Sequence, residues 1–358
     1  MSTRARRVMH DEEGLNSGVW PIQTDHFVTP VDRFFTRSHA AVPRVDPATW
    51  RLEVGGLVER PRTFSFEELR RGFAQQHVTA TLVCAGLRRE EFLSLGPLPG
   101  ETPWGPEAAS TGRWTGPSLR DVLHAAGVRE GARHVEFIGL DQVDRQGRRF
   151  GFGGSIDLAK AMSGEVTLAS ELNGAPLPAA HGFPLRAVVP GWIGARSVKW
   201  LGRITLLEEP SPNYFQRSAY RIQRAINPQD PRDVTSGTAL SGVPLNAVIG
   251  DPLPDQVIRA GRVQVRGWAM GSMGRRVSSV ELSPNGGRDW IAARLSAESE
   301  DWTWNFWEAT VELAPGRHTL VVRATDSTGT TQPEAVAAAW NVKGYCNNGW
   351  HRVAIQVE

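Results

Sequence analysis

Only two cysteines, Cys84 and Cys346, occur in 358 residues, so a disulfide-stapled scaffold is excluded and a reducing compartment fits. No apolar run approaches the roughly 20 residues of a membrane span. The basic residues 1–7 lead into His10-Asp11-Glu12-Glu13 instead of an apolar stretch. No signal peptide is read there, and a cytoplasmic location is expected, or a periplasmic one if a leader was removed. A net charge of only +2 gives no reason to expect nucleic acid or membrane as the main partner. Also missing are a Gly-x-Gly-x-x-Gly turn after a strand, a P-loop, a His-Glu-x-x-His helix and a Cys-x-x-Cys pair. Dinucleotide, nucleotide-phosphate and dedicated zinc sites thereby lose their usual signatures.

What is present suits a soluble globular chain, with 40% hydrophobic and 22% charged residues. At roughly 150 residues per domain, the length predicts two domains, placed here at 1–235 and 236–358. In the first, residues 1–30 read as irregular. Trp50, Leu52 and Val54 alternate as a strand ending at Gly55-Gly56. Ser65 and Glu68 form a capping box opening a helix to about Phe73, and Ser118 and Asp121 open another that stops at Gly127. Further strands are expected over 77–83, 134–140 and 201–207, helical turns over 155–162, and a tight turn at Asn173-Gly174. The mixture lacks regular βα alternation, so the class is α+β. Residues 221–255, rich in Pro, Asn, Asp, Ser and Gly, read as a linker. Beyond them, short strands recur at about ten-residue spacing over 262–268, 277–282, 290–295, 302–313, 318–324, 337–342 and 350–357. That rhythm reads as an all-β, immunoglobulin-like sandwich without its usual disulfide.

Chemistry centres on Cys84, delivered by the strand 77–83 to a turn of small residues followed by Arg88 and Arg89. Two adjacent cations should lower the thiol pKa, making it a good nucleophile or soft-metal ligand. Arg37 and His39, two apart in an extended segment, point to one side. With Arg89, His181, Arg186 and Lys199, each beside a Gly, a Pro or a strand end, they would suit a phosphate-bearing anion if they converge. A lone cysteine with distant histidines also leaves a Cys/His hydrolase open.

These pieces together resemble the sulfite oxidase family of molybdenum-cofactor enzymes. The family's Thr-Leu-x-Cys-Ala-Gly-Asn-Arg-Arg appears as Thr81-Leu82-Val83-Cys84-Ala85-Gly86-Leu87-Arg88-Arg89, with Leu87 for Asn. Its Phe-Phe-x-Arg-Asn-His appears as Phe34-Phe35-Thr36-Arg37-Ser38-His39. His181-Gly182-Phe183-Pro184-Leu185-Arg186, Gly194-Ala195-Arg196-Ser197-Val198-Lys199-Trp200-Leu201-Gly202-Arg203 and Asn348-Gly349-Trp350-His351-Arg352-Val353 match further segments. The resemblance runs from about residue 25 to the end.

It implies a sulfite oxidase-type molybdopterin-binding domain followed by an immunoglobulin-like dimerisation domain, hence a homodimer. Cys84 would be the thiolate ligand of molybdenum. Phe35, Thr36, Arg37, Ser38, His39, Asp141, His181, Arg186, Ser197, Val198 and Lys199 would bind the molybdopterin. Arg37, Arg89, Trp104 and Tyr220 would form the substrate pocket. The implied reaction is sulfite to sulfate by oxygen-atom transfer at a Mo(VI)/Mo(IV) centre. No haem is expected in this chain, so electrons would pass to oxygen or to a separate carrier such as a cytochrome. One departure stands out: family sulfite enzymes place an arginine where Trp302-Thr303-Trp304-Asn305-Phe306-Trp307 carries Asn305. Reduction of nitrate or an S-oxide at the same centre is therefore the alternative, and a protein that only stores the cofactor is a non-enzymatic one.

Overall fold

In the computed structural model, residues 5–22, 24, 26–145, 147–224 and 236–358 are described. The first half is built on two sheets. One holds five strands in the order Gly153–Asp157, His134–Gly139, Leu201–Leu207, Arg51–Gly56 and Arg62–Ser65. Leu201–Leu207 runs parallel to Arg51–Gly56, and every other pairing is antiparallel. Alternation explains its inner face: Leu52 and Val54 are buried while Arg51 and Glu53 are exposed. Two helices close over it. Helix α1 (Phe66–Arg71) has both bonds of the Ser65–Glu68 capping box, and α2 (Leu119–Ala126) is capped by Ser118, whose hydroxyl accepts from the Asp121 amide. Leu69, Leu119, Val122 and Leu123 supply the helices' buried side of this core.

The second sheet pairs Gln75–Val83 with Ala109–Pro117 over their full length, Val83 opposite Ala109. This long hairpin carries the chain to Cys84, whose amide donates to the Ala108 carbonyl at 2.9 Å. Asn173 and Gly174, both at positive φ, make the expected tight turn between Glu171–Leu172 and Ala175–Pro176. The helical reading of 155–162 is corrected: Gly153–Asp157 is a strand, and only Leu158–Ala161 is helical. Ser155 and Ile156 fit a sheet pair buried on both faces, which local patterning does not distinguish from a helix.

The irregular reading of residues 1–30 is likewise corrected. Strand β1 (Arg6–Met9) and strand β2 (Asn16–Trp20) form an antiparallel hairpin, and β2 pairs with the two-residue strand β3 (Thr36–Arg37). Polar and small residues in β2 hide it from a hydrophobic pattern.

Beyond residue 236 the chain is all strands apart from one 3₁₀ turn, among the described residues. A sheet in the order Asn246–Asp251, Gly261–Met270, Asn305–Leu313, Arg294–Leu295 faces a second of Val257–Ile258, His351–Val357, Gly316–Asp326, Val277–Ser283, Ile291–Ala292. Their inner faces share one core that includes Ala247, Ile249, Val280, Leu282, Val311, Leu320 and Val353. Two expectations fail here. Asn246–Asp251, inside the expected linker, is a buried strand, and the expected strand 337–342 is replaced at its start by the 3₁₀ turn Val336–Ala339. Three consecutive alanines offer no branched side chain that packs on a pleated surface. The boundary placed at residue 235 lies outside the described residues. Among the described residues the chain is strand-dominated with three short α-helices, so the α+β reading overstates the helix. No helix is long and apolar enough to cross a membrane, among the described residues.

Candidate active site

A cavity opens where the hairpin ending at Cys84 meets the segment after β3 and the loop 194–200. Its wall holds Phe35, Thr36, Arg37, Ser38, His39, Cys84, Asp141, His181, Arg186, Ser197, Lys199 and Tyr220. Residues expected to converge from nearly 190 positions of sequence thus share one wall. Phe34, Leu82, Ala85, Phe152, Gly194, Ala195 and Trp200 complete it; all but Phe152 lie in the segments quoted for the resemblance, and as apolar residues or glycine they carry no chemical signature of their own.

Three expected residues lie elsewhere. Val198 is packed in the core of the five-stranded sheet. Trp104 is fully buried and packs on the His10 ring at 4.3 Å, because the Pro-rich loop before it folds inward, Glu90 N donating to its carbonyl at 3.0 Å. Arg89 donates to the Thr102 and Gly344 carbonyls and lies 4.9 Å over the Tyr345 ring, with Glu101 Oε2 3.4 Å away.

The two arginines after the cysteine also do not act together. Arg88 has left-handed backbone (φ 58°) that turns its side chain toward the second half. There Nη1 donates to Asn246 Oδ1 at 2.7 Å and Nε to Glu91 at 2.6 Å. Consequently the expected lowering of the Cys84 pKa is reversed. Burial pushes the thiol up, and Arg37 and Arg89 only partly offset it. The Gly86 amide donates a weak 3.4 Å bond to Sγ. A buried thiol of this kind becomes a thiolate only when a cation takes its proton's place.

Among the described residues, Arg186 and Lys199 form no hydrogen bond to a carboxylate. Arg186 spends its donors on the carbonyls of His181, Ser197 and Ala187 at 2.9–3.4 Å. Lys199 Nζ donates to Ser38 Oγ at 2.7 Å and to the Ala180 carbonyl at 2.8 Å. Burial drives Lys199 well below its ordinary value and Arg186 down to about 9. His181, desolvated and facing Lys199 and Arg186, falls to about 3 and is neutral. Asp141, the one acid on the wall, is pushed up by burial and accepts from the Phe152 amide at 3.0 Å. Buried charge without a partner is costly, so an anionic ligand is what this wall stabilises.

The donor set also says how a metal could be held. Among the described residues no three His, Cys, Asp or Glu side chains cluster as a metal site. A metal at Cys84 must arrive with ligands of its own, on an organic group whose anionic end suits Arg186 and Lys199. Molybdopterin, with its dithiolene sulfurs and phosphate, has both properties, and a thiolate is a suitable soft ligand beside the sulfurs.

Comparison with known proteins agrees with this arrangement. The oxidoreductase molybdopterin binding domain matches residues 39–215, and the Mo-co oxidoreductase dimerisation domain matches 238–358. Sulfite oxidase of Gallus gallus is 41% identical over 338 residues, covering 92% of this chain and 73% of that protein. Mitochondrial sulfite oxidase of Homo sapiens is 39% identical, covering 93% of this chain and 62% of its own length. A nitrate reductase of Hordeum vulgare is 36% identical over 92% of this chain and 39% of its own. The solved sulfane dehydrogenase SoxCD of Paracoccus pantotrophus superposes with a TM-score of 0.82 at 26% identity, covering 99% of this chain and 90% of that one.

Proposed function

The chain belongs to the sulfite oxidase family of molybdenum-cofactor oxidoreductases, and on that premise we propose that it oxidises sulfite to sulfate. The carrying observation is the cavity wall, where one thiol meets two buried cations, Arg186 and Lys199, whose hydrogen bonds go to carbonyls and a hydroxyl. Molybdopterin-bound molybdenum supplies oxygen-atom transfer and storage of two electrons. Cys84 Sγ would hold the metal, while Arg186, Lys199, Ser38 and Thr36 would bind the anionic end of the pterin. Arg37 would bind the sulfite oxyanion, with its guanidinium already aimed by Asn16 Oδ1 at 2.8 Å and by the Ser38 carbonyl at 2.7 Å. Tyr220, held protonated by burial with its pKa up to about 12, would donate a hydrogen bond to substrate.

Sulfite-dependent reduction of ferricyanide without oxygen, on molybdenum-loaded protein, tests this reading. Rapid reduction is expected. Its absence in loaded protein would discard sulfite and favour nitrate or an S-oxide as oxidant. One observation favours that second reading: Asn305, buried at the start of Asn305–Leu313, puts no cation where sulfite enzymes of the family have one. Asn305→Arg is expected to lower the sulfite KM roughly tenfold, the scale of one charge-assisted hydrogen bond; an unchanged KM would remove the pocket argument.

The two-sheet second half is read as immunoglobulin-like and as the contact surface of a homodimer, supported by the dimerisation-domain match. Light scattering should return twice the chain mass, and a strict monomer would contradict it. Electrons would leave to a separate acceptor, oxygen or a cytochrome.

A further inference from the structure

The N-terminal hairpin reaches the cavity through a continuous chain of hydrogen bonds. Asp11 Oδ1 accepts from the Leu15 amide at 2.8 Å, which fixes the carboxylate, and Oδ2 accepts from Asn16 Nδ2. With its amide nitrogen so occupied, Asn16 must present Oδ1 to the other side, where it accepts from Arg37 Nη1 at 2.8 Å and the Ser38 amide at 3.2 Å. Arg37 Nη2 then contacts His39 Nδ1 at 3.3 Å, and His39 Nε2 contacts Tyr220 Oη at 2.9 Å. A guanidinium has donors and no acceptor, so His39 Nδ1 must be the unprotonated nitrogen and Nε2 must carry the hydrogen. Tyr220 Oη is therefore the acceptor in its bond with His39. Its own proton is left free, on a side chain that lines the cavity.

Packing holds each ring in the plane this requires. His39 stacks on Phe152 at 5.1 Å with the planes 10° apart, and Tyr220 stacks on Tyr345 at 5.3 Å. The hairpin is itself pinned beside its turn from two directions: Ser17 Oγ bonds Thr36 Oγ1 at 3.0 Å, and His10 Nε2 meets Glu107 at 2.8 Å.

We propose that Asp11 and Asn16 are positioning residues: through Arg37 they hold His39 in its Nε2–H form, so that Tyr220 turns its hydroxyl proton into the cavity toward the substrate oxyanion. Only the identity of that oxyanion rests on the sulfite reading. Asp11, Asn16 and Arg37 precede the matched cofactor domain, which opens at His39, and Tyr220 follows its end at residue 215. The hairpin thus acts as an outer brace that sets which atom of the pocket donates.

The test is nitrogen NMR of the molybdenum-loaded protein labelled with ¹⁵N-histidine, the His39 signals being those lost in His39→Gln. Wild type should show hydrogen on Nε2 of His39. Asn16→Ala should convert His39 partly to the Nδ1–H form and lower kcat roughly tenfold, the effect of one misplaced donor, with a smaller change in KM. Asp11→Asn combined with Asn16→Asp reverses the polarity of the pair while keeping both bonds, and should restore the wild-type signal and kcat. This double variant keeps the test decisive if Asn16→Ala fails to fold. Hydrogen on Nδ1 in wild type, an unchanged tautomer in folded Asn16→Ala, or a folded double variant without restoration would overturn the proposal. The nitrogen signals do not depend on substrate. The expected tautomers without sulfite oxidation would therefore retain the brace and discard sulfite.

Discussion

The two halves of the chain handle charge in opposite ways. In the second, arginines pair with acids on exposed or half-buried faces, as Arg276 with Asp301, Arg294 with Glu308 and Arg323 with Glu281, and the core between its sheets is built of apolar side chains around one buried neutral histidine, His351. In the first, Arg186, Lys199, His39 and His181 are gathered around a cavity with a single wall acid, Asp141. Surface pairs are cheap and dispensable, whereas buried cations bonded only to carbonyls and hydroxyls cost several kcal/mol unless a ligand neutralises them. The first half is thus incomplete without its ligand, and the second is a self-sufficient scaffold.

Substitutions at the two regions should separate these roles. Cys84→Ala should abolish turnover without unfolding the chain, since a small buried side chain is replaced by a smaller one; turnover like wild type would refute the ligand assignment. Leu320→Ala, in the sandwich core, should cost about 3 kcal/mol of stability by leaving a cavity. Sulfite KM should be unchanged in that variant, and a KM shift in a folded protein would break the separation.

Acid should expose the same contrast through one histidine from each half. His181, on the cavity, and His351, whose Nδ1 accepts from the Ile249 amide at 3.0 Å, are both lowered to about 3 by burial first and nearby cations second. An unfolded histidine takes up a proton near pH 6.5, while these remain neutral when folded. Their contribution is therefore complete above pH 6.5 and is lost as pH falls toward 3, at about 1.4 kcal/mol per pH unit for each. An anionic ligand beside His181 favours its charged form and should shrink that half of the loss, leaving the His351 share intact. Melting of cofactor-free and loaded protein between pH 7 and 4 measures it, and parallel curves would count against an anion at His181. Lys199→Met should raise the stability of the cofactor-free chain by about 1–3 kcal/mol while reducing molybdenum content. A destabilised, fully loaded variant would show that Lys199 is a structural cation.

How much of this could be read in advance depended on whether a residue's neighbours in sequence are its neighbours in space. Cys84 could be placed because its strand alternates and ends in small residues, and α1 and α2 because their caps are local. Arg88 and Arg89, adjacent in sequence, were expected to share a task. The left-handed backbone at Arg88 sends them to different partners, and a pattern of residue types carries no sign of that. Desolvation of the Cys84 thiol is equally invisible, since burial is a property of the assembled walls. Asn16 was missed because β2 has polar and small residues and no apolar rhythm. Its signal is the amide caught between an acid and an arginine, legible only once β2 lies against β3. Trp104 shows the converse: motif position points to a pocket, while the inward fold of the loop, which buries the ring against His10, has no sequence signal.

The smallest effect belongs to the exposed pairs of the second half. Arg294 and Glu308 sit opposite each other on paired strands, with Arg294 76% exposed. Solvent screens such a pair, and holding two long side chains in one geometry offsets much of the attraction. Arg294→Ala should shift stability by less than about 1 kcal/mol, and the shift should vanish in high salt, where the Debye length falls to about 3 Å. Chemical denaturation with urea, which leaves ionic strength unchanged, is the measurement to use. A loss of several kcal/mol persisting in salt would mean that this charge is not merely solvated, and the contrast between a self-sufficient scaffold and a ligand-dependent cavity would have to be redrawn there.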